Sequence, residues 1–169
     1  MVDKSKMLAG RKIQPGSSKF GTPAHEHFSK AVLDAFPEAQ LVEEPRFFKN
    51  EGFWAMVPDY CLVVENKALF FELKRQGPRG NAHERLYKAF TQKKVNTITE
   101  RFGVETYPLF GILCDSLATD QRYIREFEQN LEPENYFLWR DYDTKALVEY
   151  LEDLIDAGHG IDLEKNDKS

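Results

Sequence analysis

Two hydrophobic rhythms alternate along the chain. Residues 23–36 place Phe28, Val32, Leu33 and Phe36 at helical spacing, which predicts one apolar helix face. Thr22 serves as N-cap and Pro23 opens the first turn, while Pro37 ends the segment. Further helices are expected over residues 82–101, stopping at Gly103, near 120–129 and over 143–155. Between them lie shorter apolar runs that read as strands: "AQLVEE", "YPLFGILC" and "YFLW". "PRFFKNEGFWAMVPDY" reads as strand, turn and strand, bending near Asn50, Glu51 and Gly52. "YCLVVENKALFFELK" reads as a β-hairpin turning at Asn66-Lys67. A helix, an antiparallel strand group, a helix, and then a strand followed by a helix predict an α/β single domain with a central mixed β-sheet flanked by helices. Residues 1–22, rich in Lys, Gly, Ser and Pro, are expected to form a flexible basic arm. Residues 23–157 form the domain, and residues 158–169 a loose polar tail.

Alternation within the hairpin separates two faces. One carries Tyr60, Leu62 and Val64 with Leu69, Phe71 and Leu73, apolar apart from the tyrosine hydroxyl. The other carries Asp59, Cys61 and Val63 with Phe70, Glu72 and Lys74. With a two-residue turn at Asn66-Lys67, Glu65 faces Ala68 and Asp59 faces Lys74. Directly opposed side chains have Cβ atoms about 4.5–5.5 Å apart, so Asp59, Glu72 and Lys74 converge at one end of one face.

Two carboxylates about 5 Å apart repel by on the order of 3 kcal/mol at an effective dielectric of about 20. A proton or a cation must relieve that repulsion. An all-oxygen site suits Mg2+, which binds through one or two carboxylates and keeps several waters. The carbonyl of Leu73 is a further candidate ligand. Lys74 would orient or deprotonate a water and offset charge in the transition state, so the set suits phosphodiester hydrolysis. The bland reading of the same residues is a surface ion pair between Asp59 and Lys74, worth at most about 1 kcal/mol.

Composition leaves these readings standing. With 41% hydrophobic residues, 13 of them Phe, a packed core is expected rather than disorder. The longest apolar runs are too short to span a bilayer, and no apolar signal core follows the charged start. Cys61 and Cys114 both fall in apolar strand-like runs and read as buried thiols in a reducing cytoplasm. The net charge of −5 speaks against a polyanion partner until its distribution is read. Between Lys74 and Arg101 eight Lys or Arg stand against Glu84 and Glu100, whereas from Asp115 onward fifteen acids stand against six bases. That asymmetry fits a polyanion-binding face, or two solvated faces of opposite sign.

The residues also resemble a known superfamily. "PD" at 58–59 followed by "ELK" at 72–74 is similar to the PD-(D/E)xK nucleases, whose fold is restriction-endonuclease-like. "ELKRQG" followed by "GNAHER" resembles the EcoRI and MunI group of type II restriction endonucleases, over roughly residues 58–88. The resemblance implies Mg2+-dependent cleavage of double-stranded DNA by a homodimer with no membrane association. It implies Asp59 and Glu72 as metal ligands, Lys74 as the water-orienting base and Gln76 as support for the site. Asn81, Ala82 and Arg85 would contact bases, and Glu84 would link to its neighbours or to the partner subunit. It further implies a palindrome containing AATT and a four-base 5′ overhang.

Chemistry independent of the resemblance agrees in part. Asn bonds an adenine edge in bidentate fashion and Arg reaches base acceptors in the major groove. Asn81 also fits plain helix capping, and Arg85 and Lys88 fit a solvated helix face. Only Pro78-Arg79 separates the two motifs, and Arg79 is the candidate for the flanking base pair. Arg75, Lys88, Lys93 and Lys94 are candidates for the DNA backbone. His83 reads either as a base or phosphate contact or as exposed filler. Glu26 reads either as a further metal ligand from the first helix or as a solvent-facing acid. His25 and His27, two apart on a helix, do not share a face. Phe47, Phe48, Phe53 and Trp54 read as core and interface surface. A structure-selective nuclease with the same metal core, or a DNA-binding protein without catalysis, are the competing functions.

Overall fold

The computed structural model describes residues 11–12, 23–45, 58–75, 100, 109–114, 121–131 and 133–163. Among them the strands are β1 (Arg11–Lys12), β2 (Gln40–Glu43), β3 (Tyr60–Val64), β4 (Lys67–Arg75), β5 (Leu109–Cys114), β6 (Tyr136–Trp139) and β7 (Ile161–Asp162). The helices are α1 (Pro23–Ala35), α2 (Gln121–Asn130) and α3 (Thr144–Asp156). One sheet runs in the order β1-β2-β3-β4-β5-β6. It is antiparallel from β1 to β4 and parallel from β4 to β6, with β7 antiparallel on β4. This is the mixed, helix-flanked sheet that the periodicity predicts.

The apolar hairpin face is the centre of the core. Tyr60, Leu62, Leu69, Phe71 and Leu73 pack with Phe110 and Ile112 of β5, Trp139 of β6, Phe28 and Val32 of α1, and Leu147, Leu151 and Leu154 of α3. Phe71 is fully buried, its ring centroid 5.6 Å from those of both Phe28 and Phe110. On the other side of the sheet Phe127 of α2 packs on Tyr136, at 5.1 Å. The helices therefore cover opposite faces, α1 and α3 on one and α2 on the other.

Local chemistry sets the ends of these elements. The Asp143 side chain caps α3 by accepting from the Ala146 N–H at 3.2 Å. At the far end Gly158, at φ +78°, takes the left-handed conformation that closes the helix, its N–H on the Ile155 carbonyl. The Cys61 and Cys114 thiols are both buried, and burial pushes the Cys61 thiol up. Among the described residues no helix is long and apolar enough to cross a membrane.

Three expectations are corrected. The hairpin turn is Glu65-Asn66, at φ +50° and +66°, not Asn66-Lys67. Paired positive φ angles are the signature of the two-residue turn whose twist matches its flanking strands. Val64 therefore pairs with Lys67, and Glu65 does not face Ala68. Within the expected arm, Arg11–Lys12 pairs with Val42 and Glu43, so this part of it is an edge strand. Within the expected tail, Ile161 and Leu163 are buried, β7 pairs with Lys67 and Ala68, and the Leu163 N–H donates to the Asn66 carbonyl at 2.7 Å. Ile161 and Leu163, two positions apart, lie where the chain closes over the edge of β4 beside the hairpin turn.

Candidate active site

β3 and β4 bring the candidate residues together. The register shift is two residues, an even number, so every hairpin side chain keeps its expected face. The partner across from Asp59 nevertheless changes. Continuing the ladder one step beyond Tyr60–Phe71 sets Asp59 against Glu72, with Lys74 one step further along the same face. Asp59 is held from two sides. Its carbonyl accepts from the Glu44 N–H at 2.8 Å, and its Oδ2 accepts from the Leu73 N–H at 2.7 Å. The carboxylate thus extends the ladder just before β3 begins. Glu44 makes its bond at φ +48°, a conformation uncommon outside glycine.

The charges are close and only partly wet. Lys74 Nζ lies 3.6 Å from Glu72 Oε1, with side chains 28% and 14% exposed. Burial pushes the Glu72 carboxyl up to about 8, the neighbouring Asp59 charge and a hydrogen bond shared with Asp59 add to this, and Lys74 opposes it. A metal-free pair therefore keeps a proton near neutral pH. Beside Glu72 on β5 stands Gly111, which adds no side chain at that level of the sheet.

Among the described residues no three His, Cys, Asp or Glu side chains gather into one group. Two carboxylates with a neighbouring carbonyl fit Mg2+, which takes few protein ligands, and they do not fit a His- or Cys-rich zinc site. The raised Glu72 carboxyl marks the place where a cation would replace the proton.

The remaining sequence-predicted residues fall as follows. Glu26 sits exposed in the first turn of α1, and the structure does not gather it with Asp59 and Glu72 into a three-acid group. Arg75 ends β4. Gln76, Arg79, Asn81, Ala82, His83, Glu84, Arg85, Lys88, Lys93 and Lys94 lie outside the described residues, as do Phe47, Phe48, Phe53 and Trp54. Within the stretch expected as the 82–101 helix, Glu100 is described, and it is helical. His25 and His27 go to separate partners, Tyr60 and Tyr142.

Sequence reasoning missed a cluster under the site. Glu43 is fully buried on the same sheet face as its register partner Tyr60. His25 of α1 hydrogen-bonds the Tyr60 hydroxyl at 3.0 Å through Nδ1. Burial holds the His25 ring below its ordinary proton affinity against the pull of Asp59 and Glu43. One signal was present: Leu41 and Glu43 alternate onto one face, which sets an acid among inward positions.

A sheet that changes from antiparallel to parallel at the strand bearing the acid and lysine, with helices on both faces, has the architecture of a restriction-endonuclease-like domain. The solved structure of MunI restriction endonuclease in complex with cognate DNA has the same fold, with a TM-score of 0.58 and 22% identity, covering 78% of this chain and 88% of that one. In sequence, the type II restriction enzyme MunI of Mycoplasma sp is 31% identical over 115 residues. This chain spans 57% of the length of that relative. The family model for type II restriction enzyme MunI matches residues 55–158, a span that holds Asp59, Glu72, Lys74 and the "GNAHER" segment, and the chain belongs to that family.

Proposed function

We propose that the protein is a Mg2+-dependent type II restriction endonuclease that hydrolyses phosphodiester bonds of double-stranded DNA at a short palindrome. The observation that carries this reading is the Asp59–Glu72 pair with Lys74 beside it, on a strand that leads into "GNAHER". Family membership supports it, and the relative of known structure is a restriction endonuclease bound to its cognate DNA.

The side chains divide the work. Asp59 and Glu72, with the Leu73 carbonyl, would hold Mg2+. When bound, the ion supplies charge stabilisation to the phosphate and its leaving oxygen. The Leu73 N–H fixes the Asp59 carboxylate before substrate arrives. Lys74, half-buried on the same face, would orient the attacking water and offset negative charge. Asn81, Ala82 and Arg85 would read base edges, His83 would touch a base or phosphate, Glu84 would link to its neighbours or the partner subunit, and Arg79 would sense the flanking pair. Gln76 would brace the site, while Arg75, Lys88, Lys93 and Lys94 would neutralise phosphates, so binding would weaken with salt. A symmetric homodimer would match a palindrome, here one containing AATT with a four-base 5′ overhang. The two buried thiols support a reducing, cytoplasmic setting.

Digestion of phage DNA with Mg2+, followed by sequencing of the product ends, tests the reading. Discrete fragments with AATT-containing ends are expected. Glu72→Ala or Lys74→Ala should abolish cutting while DNA binding persists. Asn81→Ala or Arg85→Ala should lose about 1–3 kcal/mol of discrimination at one base position. Cleavage confined to branched DNA, or binding without cutting by wild type, would overturn it.

A further inference from the structure

Asp59 is followed by Tyr60, the first residue of β3, whose side chain points to the opposite sheet face. That side chain is completely buried, with the Phe28 ring 4.7 Å from its own. A phenol in such a place needs a hydrogen-bond partner for its hydroxyl. The first turns of α1 provide two atoms of one residue, His25 Nδ1 at 3.0 Å and the His25 carbonyl at 3.4 Å. Ser29 anchors this stretch of helix by donating to the His25 carbonyl at 2.9 Å. Across the ladder from Tyr60 stands the buried Glu43, and the next residue, Glu44, grips the Asp59 carbonyl. Asp59 is therefore held at its carbonyl by the Glu44 N–H, at its carboxylate by the Leu73 N–H and, through the neighbouring Tyr60 side chain, by α1.

We infer that His25, acting through the Tyr60 hydroxyl, is a positioning residue for Asp59, setting the carboxylate for a divalent ion on the far face of the sheet. The inference rests on the reading of Asp59 and Glu72 as metal ligands. A ligand carboxylate must be held to within about half an ångström, and groups that orient metal ligands change metal affinity by about 10–100-fold when removed. The Tyr60–His25 bond constrains the one residue of the pair that lies where its strand begins, whereas Glu72 lies within the continuous strand β4.

The test is Mn2+ titration of the full-length chain, followed by calorimetry and by the electron paramagnetic resonance of free Mn2+, alongside thermal unfolding in chelator. Tyr60→Phe, which keeps the ring, and His25→Ala should each weaken Mn2+ binding about tenfold or more. His25→Asn, which keeps a polar group near the Nδ1 position, should restore most of the affinity. A staple that served stability alone would lower the unfolding temperature of the variants and leave Mn2+ affinity of the folded protein unchanged. That outcome would overturn the inference while leaving the metal site intact. A wild type that binds no Mn2+, with Glu72→Ala no different, would instead sink the metal-site reading and the inference with it.

Discussion

Replacing Glu72 by Gln removes the ionisable group whose burial is most costly to the site. In the folded chain that carboxyl is pushed from its ordinary 4.5 to about 8, by burial first and by Asp59 second, with Lys74 pulling the other way. Unfolded, it releases its proton near the ordinary value. Between the two values the folded chain holds a proton that the unfolded chain has lost. Stability therefore falls as pH rises through that window and becomes flat above about 8. Each pH unit corresponds to roughly 1.4 kcal/mol, and the window to on the order of 4–5 kcal/mol, less what water screens at a side chain 14% exposed. Gln keeps the shape and never ionises. Urea unfolding of metal-free wild type and Glu72→Gln should coincide near about pH 5 and diverge by about 1 kcal/mol per unit up to about pH 8, the variant being the more stable. Mg2+ should recover wild type and leave the variant unmoved. Parallel stability curves across this range would show that Glu72 is not held protonated and that the pair carries no electrostatic strain.

Two further perturbations probe the hairpin turn and the β7 strand beside it. Glu65 and Asn66 both sit at positive φ, which Glu tolerates poorly, so the double change Glu65→Asn with Asn66→Gly should stabilise the chain by about 1 kcal/mol, read as a higher urea midpoint at unchanged slope; a lower midpoint would count against the turn. Gly160 lies at φ +111° with the Ala68 carbonyl oxygen 3.0 Å from where a Cβ would stand. Gly160→Ala should therefore cost about 1–3 kcal/mol and speed hydrogen exchange at Leu163, and a neutral result would mean that β7 is not held against β4.

Periodicity by itself determined which hairpin side chains share a face, because alternation is a property of each strand and an even register shift leaves it unaltered. It also determined where α1 and α3 begin and end, since Pro37, Asp143 and Gly158 act on their own turns. The pairing of acid and base in "ELK" with an upstream "PD" was legible for the same local reason. Tertiary structure alone decided that Asp59 stands across from Glu72 rather than Lys74, because the register follows from which two residues take positive φ, and Glu65 is an unusual choice. It alone decided that Arg11–Lys12 and Ile161–Asp162 are strands, for each is two residues long, has no period to read, and exists only against an edge supplied by another strand. The His25–Tyr60 bond and the burial of Glu43 belong there too: they arise where α1 crosses the start of β3, and contacts between segments far apart in the chain leave no trace in the spacing of residues along either one.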